Sequence, residues 1–282
     1  MHVEMPFTHR QRRSAPRAHP DALIPRPKGM RSDIAAGSSL SDAGAFLILG
    51  GSGGIGSAVA RRLAARDATV VLAARSAGPL QTLASEIGAS STVVDASDLD
   101  AVERLVKEIA AQHGRLGGIV NAVGSILLKP AHLTTADEWH ETVARNLTSA
   151  FATVRAAGRV MTSGGSVVLV STVAAAVGLA SHDAIAAAKG GVSALTRSAA
   201  ATYAGRRLRV NAVAPGLVDT PLSARITGNP KALEMSRAMH PLGRIGTADD
   251  VAAAIEWLLD PATSWVTGQV IGVDGGLSTV RV

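Results

Sequence analysis

The sequence predicts a single α/β domain on a doubly wound parallel sheet of about seven strands, with helices on both faces. Three observations carry this expectation. Short apolar, β-branched runs alternate with alanine-rich segments of helix length from Ala45 onward. Hydrophobic residues make up 47% of the chain but aromatics only 2%, which suits strands buried on both sides and packed by Ala, Val, Leu and Ile. A glycine-rich turn, Gly50 to Gly56, falls between the first strand and the first helix.

The elements follow in order. Residues 46–49 form a first strand, 54–66 an alanine-rich helix, and 69–73 a second strand after the Arg66-Asp67 turn. Further strands are expected at 91–94, 118–123, 166–170, 208–213 and 270–273, and helices near 77–87, 98–113, 136–161, 183–203 and 247–259. Strict strand and helix alternation makes the sheet parallel and directs ligands to the carboxyl ends of its strands.

Charge divides the chain. Of the net +6, residues 1–31 carry +5, with Arg10, Arg12, Arg13, Arg17, Arg26, Lys28 and Arg31 set against Glu4 and Asp21. The body is therefore near neutral, and no nucleic-acid partner is expected. Five prolines between Pro6 and Pro27 prevent a continuous helix in the tail, and no apolar run suits a signal peptide or a membrane span, so no membrane partner is expected. Residues 1–43 are expected to be a disordered, basic, proline-rich extension, read either as a transit peptide or phosphate-binding arm or as a plain addition before a natural start at Met30. The domain then occupies 44–282. Cysteine is absent, which excludes disulfides and thiolate metal sites; no metal is expected, and a cytoplasmic location fits.

The turn Leu49-Gly50-Gly51-Ser52-Gly53-Gly54-Ile55-Gly56 carries the chemistry. Glycines let a backbone approach a pyrophosphate closely, and the following helix supplies its amino terminus to the charge. Gly50, Gly54 and Gly56 match the T-G-x-x-x-G-x-G loop of the short-chain dehydrogenase/reductase family, with Leu49 in place of the threonine. The chain resembles that family at four further places: Asp95 with Ala96 following, Asn121-Ala122-Val123-Gly124, the run Arg209 to Gly216 with Val218 and Thr220 after it, and the closing Val266 to Gln269 and Val273 to Gly276. The resemblance implies a Rossmann-type fold, a nicotinamide dinucleotide, a small-molecule substrate and a homo-oligomer, dimer or tetramer. It also implies cofactor contacts from Gly50, Ser52, Gly53, Gly54, Ile55, Gly56, Asp95, Ala96, Asn121, Ala122, Lys189, Pro215, Gly216, Val218 and Thr220.

The second strand ends Ala73-Ala74-Arg75. Ala74 stands where NAD-preferring relatives carry an aspartate, and Arg75 offers a guanidinium to a 2′-phosphate, so NADP(H) is favoured over NAD(H). The other reading of Arg75 is an ordinary surface arginine.

The catalytic set departs from the family. Relatives place a tyrosine four residues before a lysine on one helix face; here the lysine is Lys189 and the tyrosine position is Ile185. The single tyrosine, Tyr203, lies about 21 Å further along the same helix. Thr172 matches the family serine, with Ser171 pointing the other way if the strand continues, and Asn146 matches the asparagine. His182, paired with Asp183, is a candidate proton donor; alternatively it is a polar residue at the helix start, with Asp183 or Ser181 as the cap. Lys189 is read as supporting the nicotinamide ribose. Residues 217–245 are read as a substrate lid with Leu222, Ile226, Leu233, Met235 and Met239 on it. Three functions stay open: a reductase or dehydrogenase with altered acid chemistry, a non-catalytic dinucleotide sensor or scaffold, and a non-redox enzyme reusing the pocket.

Overall fold

The computed structural model describes residues 39–281, so the readings of residues 1–38 lie outside the described residues. Seven parallel strands form the main sheet: β1 Ala45–Leu49, β2 Val70–Ala74, β3 Ser90–Val93, β4 Leu116–Asn121, β5 Gly165–Val170, β6 Leu208–Pro215 and β9 Val270–Val273. Their order is β3-β2-β1-β4-β5-β6-β9. Two short strands, β7 Val218–Asp219 and β8 Gly246–Thr247, pair separately. The helices are α1 Gly54–Ala64, α2 Ala77–Ile87, α3 Leu99–His113, α4 Ala136–Val143, α5 Ser149–Val160, α6 Asp183–Tyr203, α7 Ala224–Thr227, α8 Pro230–Met239 and α9 Ala248–Leu259.

Strand periodicity sorts the core into two layers. Leu47, Leu49, Val71 and Ala73 face Val102, Val106 and Ile109 of α3 and the small residues of α5 and α6. Phe46, Ile48, Val70 and Leu72 face Val59 and Leu63 of α1, Leu80 and Leu83 of α2, and Val251 and Ile255 of α9. Both faces of the sheet are covered, as the apolar, alternation-free strands require. Packing begins before residue 44, because Leu40 and Ala43 are also buried.

The expected strands and helices are present, with no end moved by more than two residues. The helix expected over 136–161 is two helices instead. Residues Ala144–Thr148 between α4 and α5 form a π-helical turn, whose extra residue rotates Asn146 inward so that its amide donates to Thr142 O at 2.9 Å. The strand expected to reach residue 123 stops at Asn121, because the Val123 amide donates to Asn121 Oδ1 (3.0 Å) rather than to a ladder partner. Residues 217–245, read above as a substrate lid, contain β7, α7 and α8, and β8 follows them. Among the described residues no helix is long and apolar enough to cross a membrane.

Strand order reverses between β1 and β4, and a crevice opens there at the carboxyl ends of the strands. The turn leaving β1 is built by close approach. Gly50 has φ +78°, and a Cβ on it would lie 2.9 Å from the Ala122 carbonyl carbon and the Val123 amide; a Cβ on Gly56 would overlap Gly50 O. Neither neighbour is a side chain that can swing aside. Gly56→Ala is therefore expected to destabilise the protein by roughly 2–3 kcal/mol, read as a lowered urea midpoint at unchanged slope; an unchanged midpoint would show that the turn relaxes freely.

Candidate active site

Helix α1, like α2, α5 and α6, starts without a side-chain cap, unlike α3, α4 and α9. The α3 start is capped by Asp98, which accepts from the Asp100 and Ala101 amides, α4 by a Thr135/Glu138 capping box and α9 by Thr247. Helix α1 has Gly53 at that position and no side-chain cap. The first α1-turn bond among the described residues is Ser57 N–H to Gly53 O, so the amides of Gly54, Ile55 and Gly56 have no backbone acceptor. Free amides, a helix dipole and a turn without side chains fit a pyrophosphate.

A cleft of about 450 Å³ runs from this turn across the ends of β2 and β3. Gly50, Ser52, Gly53, Gly54, Ile55, Arg75, Asp95, Ala96, Ala122 and Thr220 all line it, whereas Gly56 is buried beneath the turn. Arg75 is exposed at its edge. The Asp95 carboxylate accepts from the Ser97 amide (2.9 Å) and hydroxyl (2.7 Å). These bonds, helped by the charges of Arg75 and Arg145, hold it below the usual carboxylate pKa. Asn121 does not line the cleft: it is buried, donating to Thr153 Oγ1 at 2.9 Å and accepting from Val123 N. It shapes the loop that Ala122 presents and touches nothing in the cleft, because its strand position points it into the core.

A second chamber, about 270 Å³, continues from the first and shares Ile55, Ala122, Val123, Gly124, Thr220 and Leu222 with it. Asn146, Thr172, His182 and Lys189 all border this chamber, with Pro215, Gly216 and Val218. The side chain of Ile185 forms part of the chamber wall, buried to 6% exposure. Tyr203 is remote, packed on Gly158 with the Arg206 guanidinium over its ring.

Asn146 is fully engaged: Oδ1 accepts from Ser125 N (3.2 Å), and Nδ2 donates to Ser125 Oγ and Thr142 O, both at 2.9 Å. Lys189 donates to Val170 O at 2.7 Å and has no carboxylate partner among the described residues. Burial without a counter-ion lowers its pKa from 10.5 to about 8. Ser171 turns away, donating to Lys189 O and sharing a hydrogen with Ser193. Thr172 keeps loose bonds, 3.5 Å to Pro215 O and 3.3 Å from Ala174 N, so its hydroxyl is the more available one.

The His182-Asp183 pairing does not form. Asp183 accepts from the Ala131 amide at 2.6 Å, because the first turn of α6 points it toward the 131–133 segment. His182 instead bonds Ala180 O through Nδ1 at 2.8 Å, and neither Asp183 nor Ser181 caps α6. A second histidine, overlooked in the sequence, borders the chamber. His240 is 3% exposed; its Nδ1 donates to Ser236 O (2.5 Å) and its Nε2 accepts from Leu217 N (3.2 Å). It thus ties the end of α8 to the loop after β6. Its place beside Pro241 at the end of a lid helix gave no signal of burial.

A family model described as enoyl-(acyl carrier protein) reductase matches residues 50–278. The chain is 38% identical over 241 residues to cis-4-hydroxycyclohexanecarboxylate dehydrogenase of Sinomonas cyclohexanicum, covering 83% of this chain and 96% of that one. It is 34% identical over 242 residues to galactitol 2-dehydrogenase (L-tagatose-forming) of Cereibacter sphaeroides, covering 83% and 95%. Among solved structures, a short-chain type dehydrogenase/reductase from Mycobacterium ulcerans superposes with TM-score 0.79 at 33% identity over 84% of this chain and 90% of that one. Levodione reductase superposes with TM-score 0.81 at 31% identity over 85% and 99%.

The unpaired lysine makes a stability prediction. Its folded pKa lies below the unfolded value, so the penalty is complete below pH 8 and disappears as pH rises toward 10.5. Lys189→Met should stabilise the ligand-free protein by about 2–3 kcal/mol at pH 7, the lost bond to Val170 O offsetting part of the gain, and the advantage should shrink between pH 8 and 10. Chemical denaturation at several pH values checks this; a variant less stable at pH 7 would count against a buried, uncompensated ammonium.

Proposed function

The chain belongs to the short-chain dehydrogenase/reductase family, and from that premise we propose that it transfers a hydride between NADP(H), favoured over NAD(H), and a small organic substrate. The reacting group is C=O/CH–OH, C=N or a conjugated C=C. The observation that carries the proposal is the continuity of the two clefts: uncapped α1 amides at one end, Asn146, Thr172, His182 and Lys189 at the other. A bound dinucleotide supplies or accepts the hydride at its nicotinamide ring.

The chain's own residues do the rest. The turn Gly50 to Gly56 holds the pyrophosphate against α1. Arg75 faces the 2′-phosphate, and Ala74 leaves no carboxylate there to repel it. Asn146 fixes the chamber floor near Gly124, and Lys189 holds the ribose hydroxyls. Thr172 donates its hydroxyl to the substrate's oxygen or nitrogen. His182, with Nδ1 donating to Ala180 O, is left with Nε2 to pass the proton that a phenol passes in relatives. An iminium or conjugated acceptor lowers the demand on that proton, so orientation supplies more of the rate.

A homo-oligomer, dimer or tetramer, belongs to the same proposal. Trp139 and Phe151 near the α4–α5 segment, and Trp257 and Trp265 on and after α9, are 41%, 48%, 50% and 97% exposed, an amount of bare aromatic surface that association covers. Ile185 favours a second reading, a dinucleotide-binding sensor or scaffold without turnover; a non-redox reaction in the same chamber is the third.

Two variants test the proposal. His182→Phe should lower kcat by about 10²- to 10⁴-fold while NADPH still binds; an unchanged kcat removes His182 from the chemistry. NADPH binding without oxidation across a panel of carbonyl, imine and enone substrates would favour the sensor, and chemistry without a change in nicotinamide absorbance the non-redox enzyme. Arg75→Glu should weaken NADPH at least about tenfold and leave NADH nearly untouched, as fluorescence titration would read; equal losses would make Arg75 an ordinary surface residue.

A further inference from the structure

Among the described residues, apart from Lys189, no lysine, arginine or carboxylate borders the inner chamber. The Lys189 ammonium donates one hydrogen to Val170 O, and on the reading above its other two go to the ribose of the dinucleotide. Both nitrogens of His240 are occupied within the protein, and His182 holds Ala180 O through Nδ1, which leaves Nε2 for the reacting group. Deep in the chamber Val173, Ala174 and Ile185 are buried. Around it the lining stays apolar yet meets water: Ile126, Leu128, Leu222 and Met239 border the chamber and are 40%, 43%, 53% and 47% exposed.

Apolar side chains left half in water beside a cavity gain when an apolar ligand covers them. A charged group brought to the same place loses its hydration and finds no partner. A polyhydroxylated body fares little better: the apolar rim offers its hydroxyls no donor or acceptor, and Ser125, Ser171, Thr220 and Ser223, which also border the chamber, are already bonded within the protein.

We propose that the substrate is an uncharged compound with an apolar body, its reacting group beside Thr172 and His182 and its hydrocarbon part lying across Ile126, Leu128, Leu222 and Met239. This assignment rests on the oxidoreductase reading above and deepens it. It makes binding depend on hydrocarbon length and on the absence of charge at the far end, two properties that the reacting group does not set.

The test uses the full chain saturated with NADP⁺, which cannot reduce a ketone, saturation being established first by calorimetric titration of the dinucleotide. Dissociation constants are then measured by calorimetry for 2-alkanones of increasing length and for keto acids of matched length carrying a terminal carboxylate. Each added methylene should tighten binding about three- to fourfold until the rim is covered, and each keto acid should bind at least about tenfold more weakly than its ketone. Met239→Lys, and separately Leu222→Lys, should narrow that gap to about threefold or less by giving the carboxylate a partner while loosening the longest ketone. Both positions are half exposed, so folding tolerates the change. Affinity that is flat with chain length, or keto acids bound as tightly as ketones, overturns the assignment and leaves the oxidoreductase reading standing. Failure to bind either dinucleotide overturns both.

Discussion

The close packing of backbone on backbone at the exit of β1 is the constraint on which the rest of the site depends. Gly50 lies against the Ala122-Val123 peptide and Gly56 lies against Gly50, so the turn, the head of α1 and the loop after β4 are one rigid contact. That contact sits where strand order reverses, the one place in such a sheet where neighbouring loops diverge and leave a crevice. Side chains on the glycines would fill the crevice and push α1 off the sheet. The α1 amides are left bare by the same economy: a residue able to cap the helix would occupy the space that the cleft needs.

Polar groups deeper in the site are held by an equally spare set of bonds. Asn146 reaches Ser125 and Thr142 only because a π turn rotates it inward, and Lys189 reaches Val170 O but no anion. An ammonium in that state is poised to lose its proton near pH 8 and gains from any ligand hydroxyl that accepts from it. With no anion paired to it among the described residues, the ammonium is a group that a ligand would stabilise rather than one that stabilises the fold.

The fold was legible because its signals are periodic. Strands buried on both faces and alanine-rich helices announce themselves over many residues, and the glycine turn is confined to one spacing. What stayed hidden depends on single bonds. One inserted residue makes the turn at Ala144–Thr148, and no periodicity registers one residue. Asp183 stands next to His182 in the chain, yet a helix start splays consecutive side chains apart, and Asp183 finds the Ala131 amide instead. Asn121 belongs to a recognisable motif, but strand parity turns it into the core toward Thr153. His240 lies in a lid with no internal pattern, and its burial comes from contacts with Leu217 and Ser236 that only the folded chain brings together.

On the proposed reading, Ile185 in place of a phenol affects more than proton supply. It shares a wall with Val173, Ala174 and Val218, so it adds apolar surface and no hydroxyl. The proton donor on the same reading is His182, which immediately precedes α6, three residues before Ile185 in the first turn of that helix. The apolar wall that Ile185 joins favours a hydrocarbon group over a second polar one. On that reading Ile185, His182 and the half-exposed rim at Leu222 and Met239 point the same way, toward an uncharged substrate held chiefly by its apolar surface.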